Sequence, residues 1–289
     1  MRDIGARVGI GTVEILRAGG YHTSRGAWVS IATSVQAAID GTVEYPPSAT
    51  IKVPVVSGHR SQVTVENDTV LTVGRRLAAE GPVVALNFAS SSHPGGGFRN
   101  GVLAQEESLA RASGLFACLE RQPMYAFHRT CADMLHAGYV IYSPRVPVFR
   151  TDEGQLLDEP WPLSILTSPA VNAGAVARHA PGRLADIPGV MQERARRVLA
   201  VALRHGHSRL ILGAWGCGVF GIDAEVMAEI FSDLLATEFT GAFEAVAFAI
   251  VDVADRRRLL APFRRAAARL TERDPMTERP TATRPWECS

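Results

Sequence analysis

The sequence predicts an α/β protein built on a layered sheet, and three observations carry that prediction. From Pro82 onward, apolar runs of strand length alternate with longer stretches of helical spacing. Two of those runs end in glycine-rich loops that lead into a helix. The composition is that of a globular chain, with 289 residues, 47% hydrophobic content and a formal net charge of +1. That balance gives no general nucleic-acid or membrane signal. The longest apolar run, Ala245 to Val251, is far too short to span a bilayer, and Met1-Arg2-Asp3-Ile4-Gly5 lacks the apolar core of a signal peptide.

Residues 1–75 are expected to form an N-terminal helical and strand extension packed on the core. Ile10 to Ala18 has helical spacing and stops at Gly19-Gly20. Trp28 to Ile31 fits a short strand, and Ile31 to Ile39 a helix closed by Gly41. Pro46-Pro47 marks a break, Ile51 to Val56 reads as a strand, and Asp68 is placed to cap a helix running through Leu77. Arginines such as Arg25 and Arg60 read as solvated or structural.

Residues 76–270 carry the core. The expected strands are Val83 to Ala89, Tyr139 to Ser143, Leu163 to Ser168, Arg209 to Ala214 and Ala245 to Val251. The expected helices are Glu107 to Arg121, Gly189 to His205, Ala224 to Thr237 and Arg256 to Leu270. Val146 to Leu157 forms an excursion, with Asp152-Glu153-Gly154 turning a hairpin. Residues 271–289, rich in Pro, Thr and Arg and without periodicity, are expected to be a mobile tail. Cys118, Cys131, Cys217 and Cys288 show no CxxC or metal spacing, which suits reduced thiols in a cytoplasmic protein.

Chemistry concentrates after the first core strand. His93-Pro94-Gly95-Gly96-Gly97-Phe98-Arg99-Asn100-Gly101 is followed by Gln105-Glu106-Glu107 at the head of a helical segment. Taken singly, a glycine triplet is a loop, and glutamates in a first helical turn complement the helix dipole. In register, strand, glycine loop, carboxylate pair and helix describe a site for an anionic, sugar-bearing ligand with acid chemistry at one end. Glu106 and Glu107 cannot flank a bond from opposite sides as paired glycosidase carboxylates do, because neighbouring helical side chains point about 100° apart.

The second loop is Gly216-Cys217-Gly218-Val219-Phe220-Gly221, followed by a helix that Asp223 can cap. This is formally the dinucleotide fingerprint GxGxxG. It lies late in the chain, with room for one further strand, and Glu238 and Glu244 do not fall clearly at the tip of that strand. A diphosphate cradle made of backbone N–H groups, helped by the helix N-terminus, fits better than a Rossmann site. Cys217 as a nucleophile lacks a histidine tied to it by any motif.

Gly95-Gly96-Gly97, a short spacer and Gln105-Glu106-Glu107 resemble the signature of the poly(ADP-ribose) glycohydrolase family, whose catalytic domain is a macrodomain. Asn87-Phe88-Ala89 and Pro94 to Phe98 resemble its shorter, microbial-type branch. The resemblance implies a three-layer α/β/α mixed sheet and cleavage of the O-glycosidic bond at the terminal ADP-ribose, by exo-action, releasing ADP-ribose. It implies Glu107 as acid/base and Glu106 on the ribose hydroxyls. Asn87, Gly95, Gly96, Gly97, Phe98, Asn100 and Gln105 are expected to bind substrate, with Asn87 reaching the ribose or the glycine loop. Gly216, Cys217, Gly218, Val219 and Gly221 are expected on the diphosphate, with Phe220 against the ribose.

Gln105 has a second reading, as a brace for the loop, and Ser168 to Asn172 ends a strand that can line the pocket. A diphosphate charge roughly 7 Å from Glu107 would favour its protonated form by about 2.4 kcal/mol at an effective dielectric of ~20. No metal or cofactor is expected. The expected partners are ADP-ribose and poly(ADP-ribose) on modified macromolecules, and the expected state is a monomer. A binding-only macrodomain and a hydrolase of mono-ADP-ribosylated protein or nucleic acid remain as rivals.

Overall fold

A computed structural model describes residues 2–52, 58–135, 138–253 and 258–272. In chain order the elements are α1 (Arg2–Ala18), β1 (Gly20–His22), β2 (Trp28–Ser30), α2 (Ala32–Asp40), β3 (Val43–Tyr45), β4 (Gln62–Glu66), α3 (Val70–Ala78) and β5 (Val83–Ala89). There follow α4 (Gln105–Ala112), α5 (Leu115–Leu119), α6 (Pro123–Thr130), β6 (Val140–Arg150), β7 (Leu156–Pro169), α7 (Ala173–His179) and α8 (Ile187–Arg204). The chain continues through β8 (Arg209–Leu212), α9 (Ala224–Ala236), β9 (Ala245–Ala249) and α10 (Leu260–Glu272).

Seven strands form one mixed sheet in the order β3-β6-β7-β5-β8-β9-β4. From β7 to β4 all neighbours run parallel, while β6 and β3 turn the other edge antiparallel. One face packs on α8, α9 and α10 through Trp215, Phe231, Phe248 and Phe263. The other packs on α3, α4 and α5 through Leu71, Leu109, Leu115 and Ile165. This is the three-layer α/β/α sandwich expected, its central strands apolar on both faces because both are covered.

Several elements differ from the sequence reading, each for a local reason. The helix expected from Glu107 to Arg121 breaks at Ser113, which is extended and bridges to Val148, while Gly114 N donates to Pro147 O at 2.9 Å. Hairpin strands β6 and β7 absorb the excursion expected at Val146 to Leu157, with the turn at Asp152-Glu153-Gly154 as drawn. Thr69, not Asp68, caps α3, since its Oγ1 accepts from Thr72 N at 3.1 Å. Ile51 and Lys52 are not in a strand, and residues 53–56 of that expected strand lie outside the described residues, as do 256 and 257 of the expected last helix and 273–289 of the expected tail. Strands β3 and β4, too short and half-buried to give an apolar run, come from the stretch assigned to the extension, yet they supply both edges of the sheet. Among the described residues, no helix is long and apolar enough to cross a membrane.

Candidate active site

Strands β5, β8, β9 and β4 run parallel, so their carboxyl ends share one edge of the sheet. Pairing between β5 and β8 stops at Ala85 and Ile211. Beyond that point the two strands part, and a crevice of this kind is where open α/β sheets take ligands. The Gln105 side chain supplies the missing ladder partners: its Oε1 accepts from Phe88 N at 2.9 Å, and its Nε2 donates to Leu86 O at 2.7 Å. Each of its polar groups makes a bond to β5, so the side chain braces the strand where the cleft opens.

Glu106 and Glu107 open α4 beneath the glycine turn. Gly95 and Gly96 hold φ of +69° and +59°, the left-handed region that favours glycine. A Cβ built on Gly96 would lie 2.3 Å from Glu107 Oε1 and 2.9 Å from Glu106 Oε2, so only glycine lets the turn close over both carboxyls. Glu107 Oε1 accepts from Gly97 N at 2.9 Å, and Oε2 has no protein partner among the described residues. Glu106 is 4% exposed, and its Oε2 accepts from Ser90 N at 2.7 Å. Its Oε1 is buried without a partner, as is Asn87 Oδ1. Burial pushes the Glu106 carboxyl up to about 8, against the pull of the Ser90 N–H and with a further push from Glu107.

The second loop faces this pair across the crevice. Gly216 and Gly221 have φ of +77° and +75°, and the turn is closed by Ile222 N donating to Gly216 O at 3.0 Å. Among the described residues, the N–H groups of Gly216, Gly218, Val219 and Phe220 take no protein acceptor, which leaves four donors for an anion. Asp223 caps α9 by accepting from Glu225 N at 2.9 Å. The free donors therefore belong to the loop, and the helix end contributes less than the sequence suggested. Burial, and then Asp223, push the Cys217 thiol up to about 12, which disfavours the thiolate that a nucleophile needs. Among the described residues no cluster of His, Cys, Asp and Glu could hold a metal ion.

A cleft of about 560 Å³ joins these parts. Glu106, Phe88 and Ala170 line one end, and Gly216, Gly218, Val219 and Phe220 line its side. Asp68, Thr69, Val70, Ile250, Val251 and Leu259 close the far end. This last group gives no signal in the sequence, because β4, the strand that delivers Asp68, is half-buried and has no apolar run. Asn87 and Phe98 have no exposed surface: Asn87 Nδ2 donates to Thr167 Oγ1 at 3.2 Å, and Phe98 packs on the Phe116 ring at 5.1 Å. They hold the floor and the loop. Asn100 is exposed at the end of a single 3-10 turn, Phe98–Asn100.

A three-layer sandwich whose parallel strand ends present a carboxylate pair and a facing backbone anion cradle defines a macrodomain-like hydrolase site. Residues 10–151 match the model of the microbial-type PARG catalytic domain. The chain is 43% identical to a poly(ADP-ribose) glycohydrolase from Thermomonospora curvata solved with the inhibitor ADP-HPD, with a TM-score of 0.85 over 91% of this chain and 99% of that one. It is 41% identical to a poly(ADP-ribose) glycohydrolase from Deinococcus radiodurans solved with ADP-ribose, with a TM-score of 0.77 over 80% of this chain and 96% of that one. No curated protein matches the chain. The chain belongs to the microbial-type poly(ADP-ribose) glycohydrolase family.

Proposed function

We propose that this chain hydrolyses the ribose–ribose O-glycosidic bond at the terminal ADP-ribose of poly(ADP-ribose), by exo-action, and releases ADP-ribose. The observation that carries the reading is a cleft lined by Glu106 and by the loop that leaves four N–H groups without a protein acceptor, with the glycine-covered Glu107 next to Glu106 at the head of α4. The diphosphate takes the cradle, which leaves the terminal ribose by α4. The adenosine takes the far end, where Ile250 and Val251 offer apolar surface and the Asp68 carboxylate can accept from an exocyclic amino group.

Glu107 carries both proton steps. With Oε1 fixed by Gly97 N, its free Oε2 donates the proton to the leaving oxygen as the ribose gains oxocarbenium character. The same carboxylate then takes a proton from the attacking water. Glu106, on the cleft wall, accepts from ribose hydroxyls. In this reading the chain acts as a cytoplasmic monomer, and its balanced charge gives it little non-specific affinity for nucleic acid.

Poly(ADP-ribose), an O-linked mono-ADP-ribosylated protein and ADP-ribosylated DNA, each incubated with the chain, separate the possibilities. Free ADP-ribose is expected fastest from the polymer, without accumulation of short oligomers. Binding of ADP-ribose with no release from any of the three would leave only a binding module. Gly216 offers an independent check of the cradle. A Cβ there would sit 2.5 Å from Ile222 Cδ1 at a left-handed φ. Gly216→Ala is therefore expected to weaken ADP-ribose binding by about 1–3 kcal/mol by calorimetry. An unchanged affinity would count against the assignment.

A further inference from the structure

The reactive carboxylate is tied by a relay of contacts to the N-terminal helix, on the far side of α4 from the sheet. Thr12 of α1 is fully buried, and its Oγ1 donates to the Arg111 carbonyl at 2.6 Å. That carbonyl belongs to the last turn of α4, where no further helical N–H is available to it. Thr12 Oγ1 also accepts from Arg150 Nε at 3.3 Å, which fixes the direction of its hydroxyl proton. The buried Arg111 side chain turns back along α4, where Nη1 donates to Val102 O at 2.5 Å and Nη2 to Ser108 Oγ at 3.4 Å. Val102 N donates to Gly97 O at 3.3 Å, and Gly97 N donates to Glu107 Oε1 at 2.9 Å.

The relay is reinforced by backbone contact. A Cβ on Gly9 would lie 2.4 Å from Phe98 O and 3.2 Å from the Arg99 Cα, so α1 rests directly on the turn that leaves the glycine loop. One turn away, a Cβ on Gly5 would lie 3.3 Å from the Gly101 Cα. Gly11, on another side of the same helix, would meet only the Arg150 Nη2 at 3.5 Å.

We infer that Thr12, Gly9 and Arg111 are positioning residues for the glycosidic cleavage, with α1 setting the height of the 97–102 turn and through it the place of the Glu107 carboxylate. The inference rests on the hydrolase reading given above. Among the described residues, none of the relay's hydrogen bonds reaches the 216–221 cradle, although Ser108 and Arg111 line the same cleft, so losing the contacts of α1 should act on turnover and spare nucleotide binding. A displacement of about 1 Å at a reacting group can cost about 10²-fold in rate.

The test compares Thr12→Val, Thr12→Ser, Gly9→Ala and Gly11→Ala in the full chain. Thr12→Val is expected to lower kcat about tenfold and Gly9→Ala about 10²-fold, with KM and the ADP-ribose Kd held. Thr12→Ser, which keeps the hydroxyl, and Gly11→Ala should retain the parent kcat. Amide hydrogen exchange at Gly97 should quicken in Thr12→Val and Gly9→Ala and stay at the parent rate in the other two. Parent-like turnover in Thr12→Val and Gly9→Ala, a parallel loss of Kd and kcat, or unaltered Gly97 exchange would each overturn the inference. A parent chain that releases no ADP-ribose would instead defeat the hydrolase reading, and Gly97 exchange would still decide whether α1 holds the turn.

Discussion

Glu107→Gln is expected to reduce kcat on poly(ADP-ribose) by about 10³-fold or more while leaving ADP-ribose affinity close to that of the parent. The amide is isosteric and keeps an oxygen to accept from Gly97 N, so the loop has no reason to move. It loses the ability to give a proton and take one back. In the proposed mechanism one side chain serves both steps, so its loss removes both. The companion variant is Glu106→Gln. Glu106 is the carboxyl that burial pushes toward its protonated form in the free protein, which makes it the competing proton donor. Under the proposed division of labour, Glu106→Gln raises KM or lowers kcat by less than Glu107→Gln does. Steady-state kinetics on both variants will show which order holds, and the reverse order would move the acid role to Glu106.

Glu106→Gln is also expected to stabilise the folded chain, increasingly so as the pH rises. The parent carboxyl goes from an ordinary value of 4.5 in the unfolded chain to about 8 in the folded one. Between these values the folded state binds more protons, so parent stability falls as the pH rises through that window. An amide at residue 106 does not titrate, and its N–H can reach toward the unpartnered Asn87 Oδ1. The gain over the parent should therefore be small near pH 4.5, grow to a plateau just above pH 8, and reach on the order of a few kcal/mol. Denaturant melts at several pH values measure it. A gain that does not change with pH would mean that Glu106 is ionised in the free protein throughout the range.

The features that could be read from the sequence are those written in local pattern. Val83 to Ala89 is a continuous apolar run, and a strand buried on both faces needs one. The two glycine loops stand out because a left-handed backbone leaves few alternatives to glycine, as at Gly96 and Gly216. What could not be read depends on contacts distant in sequence. Ser113 leaves the helix because Val148 and Pro147 lie beside it, a relation that no window around Ser113 contains. Strand β4 carries only Val63 and Val65 as apolar residues and is a strand because β9 lies next to it. With β4 missed, the far end of the cleft at Asp68 and Thr69 was missed too. Burial is equally illegible in a local motif: Asn87 and Phe98 stand out in the glycine-loop pattern, and only the fold leaves both without exposed surface.

The thiol in the anion cradle has one more implication. Oxidants and alkylating agents attack the thiolate form of cysteine, and an exposed, readily ionised thiol in a phosphate-gripping loop would expose that grip to peroxide. Cys217 is held neutral far above physiological pH, and its Sγ leans on the Trp215 carbonyl at 3.7 Å. The loop thus offers its anion grip through backbone N–H groups and keeps its one thiol in the less reactive, neutral form.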